Sequence, residues 1–113
     1  MTDKIKEFIK GELVEYNNAF ASRNYKQAFN HLERIHIVSQ PYAIEHTITH
    51  LRMLRFALQT FKPLEIIVQV LYSLLGGILS LIGFVPIGNT GGANAISKGA
   101  MEIPNDLKQI MNT

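Results

Sequence analysis

The sequence contains no cysteine, which excludes a disulfide framework, thiolate-bound zinc and thiol catalysis. Charge is also sparse, at 18% of residues against about a quarter in an ordinary soluble domain. The basic residues are scattered (Lys4, Lys6, Lys10, Arg23, Arg34, Arg52, Arg55), and the formal net charge is only +2. Nucleic-acid binding calls for a basic stripe with accessible aromatics. None is visible, so no nucleic-acid partner is expected. The segment Met1–Glu7 carries no apolar run and does not read as a signal peptide. A cytoplasmic location is therefore expected, in keeping with the missing cysteines.

What is present is apolar, 47% of the 113 residues, enough for an ordinary core in one domain. Apolar residues recur at helical spacing in Ile5, Phe8, Ile9, Leu13, Tyr16, Ala19 and Phe20, predicting a first helix over residues 3–22 capped by Asp3. Asn24 is placed to cap a second helix over 25–38. Pro41 suits the first turn of a third over 41–61, and a fourth follows Lys62-Pro63 over 64–82. Residues 83–103 are rich in glycine and read as a loop, before a short terminal helix over 105–112. Short links favour antiparallel neighbours, so the expected fold is all-α, a small four-helix bundle-like domain with a Gly-rich C-terminal loop. The run from Ile66 to Val85 has no charge and is long enough to span a bilayer. A central buried helix is the preferred reading and membrane association through residues 66–85 the alternative. Gly88-Asn-Thr-Gly-Gly-Ala-Asn94 reads as a tight turn rather than a phosphate cradle, since the Lys-Ser/Thr ending of a P-loop is absent.

All four histidines lie within one stretch, His31, His36, His46 and His50. At about 100° per residue, His46 and His50 face the same side of the third helix, within or bordering an arc of Ile44, Leu51, Leu54, Ala57, Leu58 and Phe61. His36 falls on the apolar face of the second helix, with Glu33 one turn before it. His31 lies at the far edge of that face. In the first helix Glu12 points inward among Ile5 and Ala19. Carboxylates in a core are costly unless paired or bound to a cation. His-x-x-x-His places two imidazoles one turn apart, within reach of one ion. Glu-x-x-His is a unit of carboxylate-bridged dimetal bundles, though only one copy occurs here. Nitrogen and oxygen donors without thiolate suit zinc, iron, manganese or copper. The competing reading makes the histidines hydrogen-bonded core groups and pairs Glu12 with Arg34 or Arg55.

The residues His31-Leu-Glu-Arg34, His36-Ile37, His46-x-x-x-His50-x-x-Met53-Leu54-Arg55 and Gln69 resemble a family of small bacterial proteins, domain of unknown function family 3703. The likeness continues through Gly83-Phe-Val-Pro-Ile-Gly-Asn-Thr-Gly-Gly-Ala-Asn94 and Ile103-Pro104-x-Asp106-Leu107. It covers about residues 12–108. The resemblance implies a soluble helical protein without an established activity, and it includes all four histidines in the family pattern.

The function expected from these readings is binding of a divalent transition metal, for sequestration or sensing. Glu33, His36, His46 and His50 are its ligands, with Glu12 and His31 as further candidates. No catalytic group is assigned, and an enzyme is the less favoured expectation. A homo-oligomer is compatible with the sequence. The alternative is a helical protein-interaction module. It would use a tetratricopeptide-like hairpin (Tyr25, Ala28, Leu32, Pro41), with the histidines as structural core groups.

Overall fold

Helix α1 spans Asp3–Ala21. Its cap is Thr2 rather than Asp3: the Thr2 hydroxyl accepts from the Ile5 N–H at 3.2 Å. Asp3 instead enters the first turn, where its charge complements the helix dipole. The computed structural model describes residues 1–71, 92 and 101–112. Arg23 turns the chain out of α1 with a left-handed φ of 59°, and the Asn24 side chain accepts from Gln27 N–H to start α2, Tyr25–Ser39. A turn closed by Tyr42 N–H donating to Ser39 O at 2.8 Å follows. Pro41 has no N–H and sits in that turn, so α3 begins after it and spans Ala43–Thr60. Phe61, with φ 51°, ends α3 in the left-handed region. Residues 63–71 are helical (α4), and α5 is Asn105–Met111.

No strand occurs among the described residues, and the fold class is all-α. Three sequence expectations fall outside them wholly or in large part: the fourth helix beyond residue 71, the Gly-rich loop over 83–103, and most of the candidate span 66–85. Among the described residues, no helix is long and apolar enough to cross a membrane.

Helix α2 is the shared wall, packing against α1, α3 and α5. Its C-terminal half is buried nearly all round, through Leu32, Ile35, His36, Ile37, Val38 and Ser39. These meet Ile5 and Ile9 of α1, Met53 and Phe56 of α3, and Leu107 of α5. Phe56 is 1% exposed and is ringed by Tyr16, Phe20, Tyr25 and Phe29 with centroids 5.1–6.4 Å away. Burying such a ring contributes roughly 1.5–3 kcal/mol, with about 1 kcal/mol more from edge contacts.

The buried face of α3 differs from the arc expected from its sequence. Ile44, Leu51, Leu58 and Phe61 are exposed, Ile44 by 80%. His46, His50 and Ala57, expected within or beside that arc, are buried, and Thr49, Met53 and Phe56 join them in place of its exposed members. The helix carries apolar residues on two faces, and contact with α2 selected the one that holds the histidines. The hydroxyls on this seam are satisfied by helix carbonyls: Ser39 donates to His36 O and Thr49 to Glu45 O.

Candidate metal centre

The α2–α3 pairing brings three imidazoles to one point. His46 and His50 are successive turns of α3, and His36 comes from the last turns of α2. Their Nε2 atoms form a near-equilateral triangle, 2.9 Å from His36 to His46, and 3.1 Å from His50 to each of the others. The three residues are 2–4% exposed. Ring centroids lie 4.7–4.8 Å apart with interplanar angles of 58–73°, so the rings converge edgewise, nitrogens first.

The three nitrogens crowd one another. Each neutral ring offers either a lone pair or one N–H at Nε2. Three such atoms aimed at a common centre leave room for about one proton before hydrogens collide. Burial pushes the His50 imidazole down to about 4 even though its bond to Gln69 acts the other way. Burial, with the neighbouring His50 adding to it, likewise takes His46 down to about 4. Both rings are therefore uncharged at neutral pH, which keeps their lone pairs available. Two nitrogens about 2.1 Å from one ion stand about 3.0 Å apart at right angles and about 3.4 Å apart at tetrahedral angles. The observed spacing is close enough for the three nitrogens to share one ion.

A hydrogen-bond chain stands behind His50. Its Nδ1 donates to Gln69 Oε1 at 2.6 Å, and Gln69 Nε2 donates to Glu65 Oε2 at 2.9 Å. Gln69 is completely buried. An amide oxygen accepts only, so Nδ1 must carry the proton and Nε2 the lone pair.

The other residues expected at a site are placed differently. His36, His46 and His50 form the one group among the described residues close enough to share an ion. Glu33 is half-buried, one turn before His36. Glu12 and His31 are joined to each other through Oε2 and Nδ1. The second Glu12 oxygen accepts from Arg34 Nε at 2.7 Å, and Arg34 also donates to Asp106 of α5 at 2.7 Å. Burial works against the Arg34 charge, but the bonds to Glu12 and Asp106 prevail and raise its pKa. Glu12 thus takes the Arg34 pairing that sequence left open. Gln69 and Glu65 were not legible as supports, because Gln69 lies far along the chain from the histidine it holds.

A family model described as protein of unknown function (DUF3703) matches residues 3–111. The chain belongs to this family. No curated protein and no solved structure matches it. For this DUF3703 protein, then, the chemistry has to be read from its own side chains. A cavity of about 310 Å³ between α1, α2 and α3 has Tyr16, Leu32, Arg52, Arg55 and Gln59 on its walls, and none of the three histidines borders it.

Proposed function

We propose that this DUF3703 protein binds a divalent transition-metal ion through Nε2 of His36, His46 and His50, and acts in metal sequestration or sensing. The observation that carries the reading is the triangle of buried nitrogens with sides of 2.9–3.1 Å. Uncharged imidazoles and the fixed tautomer of His50 support it. Zinc, iron(II), manganese and copper(II) all accept such donors. Glu33, a turn before His36, is the carboxylate proposed to approach the ion from the chain itself. Glu12 and His31 stay outside the coordination set, held by one another and by Arg34. An ion held by one nitrogen face exchanges its other ligands readily. That suits reversible uptake better than a closed structural site. A cytoplasmic setting is part of this proposal.

Elemental analysis of protein purified without a histidine tag tests it, repeated on His46→Ala combined with His50→Ala. One ion per chain in the wild type, lost in the double variant with helicity retained, is the expected result. A wild type that takes up no ion from any of the four metals, while the double variant folds normally, sinks the reading. The histidines would then be structural groups of an interaction module.

A further inference from the structure

The carboxylate of Glu65 has no place among the ligands, yet it stands at the end of the chain that fixes one of them. Gln69 is the intermediate. Its side-chain amide is completely buried and faces a carboxylate on one side and an imidazole on the other. An amide has two orientations, and turning it over exchanges the oxygen and the NH2 group. With the oxygen toward Glu65, two acceptors would face each other at a part-buried contact, an unfavourable arrangement. The carboxylate therefore selects the orientation in which NH2 meets Glu65 and the oxygen meets His50.

The second half of the chain follows from the first. An amide oxygen toward His50 requires a proton on Nδ1, and a neutral imidazole has only one. Nε2 is left with its lone pair directed at the centre of the triangle. The opposite amide orientation would present NH2 to Nδ1, drive the proton to Nε2, and fill the centre with an N–H. Glu65 also lies near the chain at Gly92. A Cβ at Gly92 would come within 3.3 Å of Glu65 Oε1 and 3.1 Å of Phe29 Cε2, so a glycine at 92 lets the chain lie close against this carboxylate.

From this we infer that Glu65, acting through Gln69, is a positioning residue that sets the tautomer of His50 and so keeps the centre of the histidine triangle open to a cation. The effect on ion binding rests on the coordination reading above; the effect on the tautomer does not. A carboxylate working through one intervening group is the kind of outer support that metal-bound histidines use, and losing such support lowers affinity about 10–100-fold.

The test is long-range proton–nitrogen NMR on the metal-free protein, labelled with 15N at histidine, for three chains. In the wild type, His50 Nδ1 should show the shift of a protonated nitrogen and Nε2 that of a bare one. Glu65→Gln changes no volume but lets residue 65 donate, so Gln69 can turn over. His50 should then populate the Nε2–H form, and zinc or manganese affinity should fall about 10–100-fold. Combining Glu65→Gln with Gln69→Glu puts a carboxylate beside Nδ1 and a donor behind it, and both the tautomer and the affinity should recover. Circular dichroism on each variant confirms that the helices are present. Glu65→Gln with His50 still protonated at Nδ1 and metal affinity unchanged overturns the inference. If the wild type binds no metal while the tautomer moves as described, the coordination reading fails and the role of Glu65 stands.

Discussion

Among single side chains, His46 and His50 respond most directly to pH. Each is a base whose folded pKa, about 4, lies below the ordinary value near 6.5. Between those limits the unfolded chain binds more protons than the folded one, so stability rises with pH across the window. Acidification from pH 7 to pH 4.5 should therefore cost on the order of 5 kcal/mol for the two together. Urea denaturation at several pH values measures it, and the dependence should shrink in the double alanine variant. Protons and metal ions compete for the same lone pairs, so metal loading should fall over the same range. The pairing of His46 with His50 was legible because a helix repeats its faces every three to four residues, and His36 was legible for the same reason. The Arg34 partner of Glu12 was one of two the sequence offered, but its bond to His31 was not legible, since a pairing between α1 and α2 depends on how two helices are set against each other.

Individual helices show where periodicity misleads. Apolar residues of α3 fall on two stripes, and the expected arc ran through Ile44, Leu51 and Leu58, which are exposed, although Ala57 in it and His46 and His50 within or beside it are buried. The buried face adds Thr49, Met53 and Phe56, which the arc did not include. What decides is the partner: α2 offers Ser39 and His36 at the crossing, and small or polar groups match there. Helix α5 is a different case. Seven residues make a marginal helix alone, and this one depends on Leu107, fully buried against α1 and α2, and on the Arg34–Asp106 ion pair. Arg34→Met should remove that pair and leave Glu12 with His31 as its partner. The expected cost is about 1–3 kcal/mol, less than for a fully buried pair because Arg34 is partly solvated. Amide hydrogen exchange should show α5 losing protection before α2 or α3 does.

For the whole molecule, the proposed ion binding would be coupled to folding. The three histidines come from two helices, so an ion that binds only when α2 and α3 are packed would stabilise the fold by mass action. At a free concentration a hundred times the dissociation constant, the gain is about 2.7 kcal/mol, which raises Tm by roughly 10 °C in a chain of this size. Thermal scans with and without a chelator measure the difference, and His46→Ala with His50→Ala should abolish it. The radius of gyration, 13.2 Å, is that of a folded chain of this length, about 13 Å. All-helical architecture followed readily from patterning, because short links and amphipathic segments leave few ways to pack.

The three clustered histidine nitrogens are contained between His36 and His50, on either side of a single turn, whereas Gln69 and Glu65 come from the next helix along. A ribosome makes the chain in that order. Under the proposed function, the histidine triad would be complete before the residues behind His50 have been synthesised, so an ion met at that stage would find a site still lacking its support from α4.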